Sequence, residues 1–273
     1  MARTNVLSSL RRLRFDLAEA LVLCTFVGYG VLTLTAPSTP KPTGLPIPAE
    51  AEPLRVKYGP ERNSQFAEEW IVRDFFQDKR GGVFLDVGAN HYRKFSTTYF
   101  LEKQLGWSGL AVEPLREFEA DYRVHRPNTR FMPFFVSDVS NQAAKMYVIE
   151  RDRLVTSGDQ QFTQRYVRSG ESAKEVVAPT ITLNDLLAAE HVSSIDFLSM
   201  DIELWEPKAL AGFDIERYRP TLVCIEVHDE VRQQIFDYFA RHGYVAVGKY
   251  LRSDEHNVYF TPLASRTVTS AAD

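Results

Sequence analysis

Six side chains of types that can do chemistry sit at or just past the ends of short apolar runs. They are Asp86, Glu113, Asp201, Glu203, Glu226 and His228. Runs such as Val83-Phe84-Leu85 and Leu222-Val223-Cys224-Ile225 are too short for a typical helix, and their continuous apolarity suits strands buried on both faces. In an open α/β sheet the carboxyl ends of parallel strands border one crevice. The six groups are therefore expected to share a cleft. A carboxylate can accept two hydrogen bonds from a vicinal diol, and an imidazole can take a proton near neutral pH.

The spacing narrows this further. Gly88 follows the first strand and permits a tight turn. Glu113 ends the second strand, 25 residues later, where a nucleotide-binding βαβ unit holds the ribose hydroxyls. The turn continues as Ala89, Asn90, His91, Tyr92 and Arg93, so it lacks the G-x-G-x-x-G that seats a pyrophosphate. A nucleoside cofactor without phosphate fits better. S-adenosylmethionine is one, and its sulfonium favours a nearby carboxylate such as Asp86. Methyl transfer to a hydroxyl needs alignment and a proton acceptor. Asp201, Glu203 and His228 are the expected catalytic residues, with His228 as the base and Asp201 as an alternative base or its orienting partner. No metal is assigned. As an alternative, Asp201, Glu203, Glu226 and His228 could together hold magnesium or manganese.

These groups need a scaffold. Strands are expected at Val83–Val87, Gly109–Val112, Arg130–Val136, Ile195–Met200 and Thr221–Val227, with a closing pair at Tyr244–Tyr250 and Asn257–Thr261. Helices are expected over Phe66–Lys79, Ser96–Leu105, Arg116–His125 and Val231–His242. The alternation predicts a doubly wound, mainly parallel Rossmann-like α/β sheet. Lys145–Glu150 and Val176–Thr182 read as further strands. The polar stretch Arg151–Lys174 between them reads as a mobile lid that selects substrate. Ser64, Gln65 and Glu69 could close over the cofactor.

Several motifs occur in a fixed order. They are Ser64-Gln65 with Glu69, F-L-D-V-G-A-N at Phe84 to Asn90, Phe95-Ser96 with Thr98-Tyr99, Val112-Glu113-Pro114 and Val136-Ser137-Asp138. Thr182 to Leu187, I-D-F-L-S-M-D-I-E at Ile195 to Glu203, Gly212-Phe213-Asp214 and Tyr218-Arg219-Pro220 complete the set. In these the chain resembles the FkbM family of S-adenosylmethionine-dependent methyltransferases, from about Ser64 to Pro262. The resemblance implies a seven-stranded methyltransferase sheet and O-methylation of a small molecule, sugar or glycolipid. It implies that Asp86, Gly88, Ala89 and Asn90 surround the methionine end of the cofactor. Glu113 would take the ribose, and Ser137 with Asp138 would lie by the adenine. The family often has Asp after G-A-N and Gly after D-x-E, where this chain has His91 and Leu204. The competing reading is a non-catalytic, membrane-anchored binding or trafficking module that retains the fold.

Composition sets the remaining bounds. The formal net charge is −4, and Arg3, Arg11, Arg12 and Arg14 precede any acid. The rest of the chain is thus more acidic still, which argues against nucleic-acid binding. Residues 1–16 form a basic segment. Residues 17–36 are long and apolar enough for a single-pass membrane anchor. The arginines favour a cytoplasmic N-terminus, whereas S-adenosylmethionine is made in the cytosol, so the side holding the domain stays open. Residues 37–60, with Pro37, Pro40, Pro42, Pro46, Pro48 and Pro53, read as an extended tether. The catalytic domain is expected over 61–263 and a polar tail over 264–273. The partners expected are the membrane and a small-molecule or glycan acceptor; no protein partner is inferred.

Overall fold

The computed structural model describes residues 46–264. The basic segment, the expected membrane span at 17–36, the first part of the tether and nearly all of the polar tail lie outside the described residues. Among the described residues no helix is long and apolar enough to cross a membrane.

In chain order the strands are β1 (Val83–Val87), β2 (Ser108–Val112), β3 (Thr129–Met132), β4 (Phe135–Val136), β5 (Ala143–Ile149), β6 (Asp152–Ser157), β7 (Lys174–Ile181), β8 (Phe197–Met200), β9 (Leu222–Glu226), β10 (Tyr244–Ala246) and β11 (Asn257–Pro262). The main sheet has seven strands in the order β10-β11-β9-β8-β1-β2-β3. β3, β2, β1, β8 and β9 run parallel. β11 enters antiparallel between β9 and β10. The strand order reverses at β1, with β2 on one side and β8 on the other, so the crevice falls at the ends of these strands.

The helices are α1 (Glu52–Tyr58), α2 (Glu68–Phe76), α3 (Tyr99–Leu105), α4 (Glu119–His125), α5 (Gln160–Gln164), α6 (Leu183–Ala189), α7 (Glu206–Ala211), α8 (Ile215–Tyr218) and α9 (Arg232–Arg241). Successive strand residues point to opposite faces, and the two faces of β1 bury against different helices. Leu85 and Val87 pack with Leu186 of α6 and Phe239 of α9. Phe84 packs with Trp70 of α2, Leu101 of α3 and Trp107. Each such fully buried side chain contributes about 1.5–3 kcal/mol.

Three expectations change. The strand expected over Arg130–Val136 breaks in two, because Pro133 lacks the N–H needed to continue the ladder. Its second half, β4, joins a smaller sheet of order β4-β7-β5-β6. The expected lid is ordered: it forms β6 and α5, with Asp159 accepting from Phe162 N at 2.9 Å as a helix cap. The tether ends earlier than residue 60. Pro53 sits in the first turn of α1, where its missing N–H is not needed, and Ala51 and Leu54 are buried against the Trp70 cluster. Asp74 ties α1 and α2 to the segment before β11. It accepts from Lys57 Nζ at 2.8 Å and from Tyr250 O–H at 2.9 Å, and it pairs with Lys249.

Leu54→Ala should therefore cost about 2–3 kcal/mol, read from the urea midpoint. A loose tether would give a change under about 0.5 kcal/mol.

Candidate active site

Gly88 sits where β1 ends. Its φ is +84°, and a Cβ there would lie 1.8 Å from the Asp201 carbonyl oxygen at the end of β8. Glycine is thus required by the neighbouring strand as well as by the turn. Gly88 N–H and Ala89 N–H both donate to the Val112 carbonyl, at 2.9 and 3.2 Å. Glu113 then locks the two turns together. One carboxylate oxygen accepts from Asn90 N–H at 3.1 Å and the other from Leu115 N–H at 2.9 Å. Burial pushes Glu113 up to about 7, against the pull of those two amides.

A cavity of about 430 Å³ opens beside this turn, a size that suits a nucleoside-sized ligand. Gly88, Asn90 and Glu113 line it, as do Asp201, Glu203, Glu226 and His228. His228 Nε2 lies 3.1 Å from Glu203 Oε2 and 2.9 Å from Glu226 Oε2. These carboxylates, Glu203 foremost, raise His228 to about 11. Burial in turn raises Glu203 and Glu226 to about 7 each. Asp201 is open to the cavity but enclosed by protein, and that enclosure, followed by Glu226, pushes its pKa upward. Glu203, Glu226 and His228 bring ligand-type atoms within 4.8 Å of one another. Asp201 is not part of that group, so the four-residue metal set expected from sequence narrows to three.

Two flanking carboxylates favour the protonated imidazole, which weakens His228 as a base near neutral pH. Its contact is with Glu203 and Glu226, not with Asp201.

The expected cofactor residues divide. Gln65, Gly88, Asn90 and Glu113 line the cavity. Asp86, Ala89, Ser137 and Asp138 do not. Asp86 shares its strand face with Phe84, so its carboxyl points away from Val87 and accepts from Thr98 O–H at 2.6 Å, near Arg126. Ala89 packs on Ala111 and Tyr122, and its carbonyl accepts from Tyr122 O–H at 3.1 Å. Ser137 and Asp138 are drawn off by the smaller sheet. Ser137 N–H donates to Ile181 O, and Asp138 binds Ser137 O–H and Lys208.

Other walls had little sequence signal. Phe135, Val136 and Trp205 form an apolar side, with the Phe135 and Trp205 rings edge-on at 5.4 Å. The Trp205 Nε1–H is buried and has no hydrogen-bond partner among the described residues. β6 supplies Arg153 to Thr156, and Tyr166 follows α5. Phe66 stacks on His256 at 4.2 Å across the rim. Ser64 pairs with Phe95 in an isolated bridge, and its hydroxyl accepts from Glu69 N–H at 3.1 Å.

Both departures from the family pattern keep the local geometry. His91 Nδ1 accepts from Arg93 N–H at 3.1 Å and Lys94 N–H at 3.0 Å, as an aspartate side chain would. Burial lowers its pKa, in keeping with a neutral acceptor ring. Leu204 has φ +73°, the left-handed conformation that glycine favours, and its side chain packs against two core clusters.

The family model for the FkbM methyltransferase domain matches residues 86–246. The chain belongs to the FkbM methyltransferase family. No curated protein matches it. Among solved structures, it is similar to a precorrin-6y C5,15-methyltransferase from Geobacter metallireducens. The identity is 9%, over 70% of this chain and 84% of that one, with a TM-score of 0.37. It is also similar to a SAM-dependent O-methyltransferase from Thermotoga maritima. There the identity is 10%, over 80% and 73% of the two chains, with a TM-score of 0.37. Superpositions this loose leave the strand order and the family match to carry the assignment.

The rim beside this FkbM site holds a buried acid pair. Glu68 accepts from Phe66 N–H at 2.6 Å and faces Asn257 Nδ2 at 3.5 Å. Asp254 accepts from Tyr259 O–H at 2.7 Å and from His256 N–H at 3.0 Å. Arg62, Glu69 and Cys224 are the other titratable neighbours. Burial and then Asp254 push Glu68 up to about 8. The folded state therefore holds a proton that the unfolded chain releases near its ordinary carboxylate pKa. Stability from this group is present below that value and is lost as pH rises to about 8. Glu68→Gln should melt within a degree or so of wild type near pH 5 and about 3–5 °C higher near pH 9. Equal melting at both pH values would remove Glu68 from the linkage.

Proposed function

We propose that the protein is an S-adenosylmethionine-dependent O-methyltransferase acting on a hydroxyl of a small molecule, sugar or glycolipid. The carrying observation is that a ribose-type carboxylate, Glu113, and the acids Asp201, Glu203 and Glu226 line one cavity. Glu113 accepts only one amide per oxygen, which leaves lone pairs for the 2′- and 3′-hydroxyls. The apolar side at Phe135, Val136 and Trp205 suits the adenine, and the unpartnered Trp205 N–H is a donor for a ring nitrogen. Five carboxylates, Glu113, Asp152, Asp201, Glu203 and Glu226, line the cavity and favour a cationic sulfonium over a phosphate-bearing cofactor.

In the reaction the acceptor oxygen forms a bond to the methyl carbon as the carbon–sulfur bond breaks. The electron pair passes to sulfur, and the hydroxyl proton leaves the acceptor. Asp201 is the proposed proton acceptor. It opens to the cavity, lies against Gly88 and has a pKa raised above that of a free carboxylate, which makes it a stronger base. The cation at His228 keeps Glu203 and Glu226 from adding unbalanced charge beside it.

We further propose that residues 17–36 anchor the domain to a membrane, which would bring it to a lipid-linked acceptor. Alkaline carbonate should then leave the full-length chain in the membrane pellet, and release into the supernatant would count against the anchor.

Calorimetric titration with S-adenosylmethionine separates binding from chemistry. Glu113→Gln should weaken binding by about 10²-fold. Asp201→Asn should bind nearly as wild type and lose about 10²–10⁴-fold in methyl transfer. Unchanged affinity in Glu113→Gln would defeat the cofactor assignment.

A further inference from the structure

We propose that Glu203, Glu226 and His228 form a site for a divalent transition-metal ion at the acceptor end of the cavity. The three arrive from adjacent strand ends. Met200 of β8 pairs with Ile225 of β9, so Glu203, Glu226 and His228 leave the sheet side by side.

The separations fit shared ligands of one ion. His228 Nε2 is 2.9 Å from one carboxylate oxygen and 3.1 Å from the other. An ion holding N and O ligands at about 2.1 Å in octahedral geometry sets neighbouring ligand atoms about 3 Å apart.

A second observation concerns alignment. Among the described residues Glu226 Oε2 is buried and has no aligned hydrogen-bond donor, although the ring nitrogen is 2.9 Å away. The two atoms are close without being aligned as donor and acceptor. A buried oxygen left so is costly. It is the arrangement expected of two ligands that converge on a third body. Among the described residues, His228 is the one basic side chain within 4 Å of either carboxylate. No lysine or arginine there competes for the position an ion would take.

The donor set selects the ion. With the ring proton of His228 displaced by the ion, two carboxylate oxygens and one imidazole nitrogen, with no thiolate, suit manganese or ferrous iron better than calcium or magnesium. The site faces the cavity, which leaves coordination positions for water or an acceptor oxygen. Rested on the methyltransferase reading, an ion here would polarise the acceptor hydroxyl, whose proton passes to Asp201 as the oxygen takes the methyl group. The binding of the ion does not depend on that reading.

The test uses the whole protein, treated with chelator and titrated with Mn(II) alone. Calorimetry and loss of the free-ion electron paramagnetic signal are the readouts. One saturable site per chain is expected. The melting temperature should rise by about 5 °C in about 1 mM Mn(II). Glu226→Gln and His228→Ala should each weaken binding by roughly tenfold or more, with circular dichroism unchanged. Asp201→Asn should bind Mn(II) within about threefold of wild type. No saturable binding by wild type, or wild-type affinity in both ligand variants, would overturn the site. S-adenosylmethionine titrated in chelator is the separating control. Cofactor binding without Mn(II) binding removes only the ion, and Mn(II) binding without cofactor binding removes only the methyltransferase reading.

Discussion

The clearance between β1 and β8 at their carboxyl ends is effectively zero. The Asp201 carbonyl occupies the place where any side chain at residue 88 would begin. That contact joins two segments of the cavity wall, because Gly88 starts the turn carrying Asn90 while Asp201 starts the segment carrying Glu203. Neither end can shift without the other. Glu113 extends the joint to β2 through its bonds to Asn90 and Leu115. Three strand tips are thus fixed relative to one another by backbone contacts and one carboxylate, before any ligand arrives.

Electrostatics works against this arrangement and so points to its use. Glu113, Asp201, Glu203 and Glu226 share one cavity, and burial raises the pKa of each. A fold selected only for stability would replace such groups with apolar ones. Acids with pKa values raised in this way cluster at functional sites, which agrees with the cationic ligands proposed above. The buried Glu102–Arg126 pair is the contrasting case. It is fully enclosed, bonded to Thr98 and Thr129, and holds α3 to the segment before β3.

Much of the fold was legible because the strands are short, apolar and flanked by glycine or acids. Short apolar runs located β1, β2, β8 and β9, and their tips located the acids. The alternation of side chains along a strand explains why Asp86 was misplaced: it is one residue before Val87, and one residue is enough to turn a side chain to the other face. Ser137 and Asp138 were misplaced because Pro133 ends β3 and the chain departs to a second sheet. The stack of Phe66 on His256 joins residues far apart in sequence, so no local pattern could reveal it. β6 was hidden because its polar residues face the cavity and leave only Leu154 and Val155 as an apolar signal. His91 and Leu204 depart from the family pattern by residue type. In the fold His91 accepts from two backbone N–H groups, and Leu204 takes the left-handed conformation that glycine favours.

The small sheet has a consequence for how such a protein can diversify. β6 and the segment after it wall the cavity from a sheet that shares no strand with the one carrying Gly88 and Glu113. Length and sequence there can vary without disturbing the register of the parallel strands. One half of the chamber is held to a fixed design by zero clearance, while the facing half is a replaceable cassette. A lineage built this way can change what it modifies and leave untouched the machinery that supplies the group it transfers.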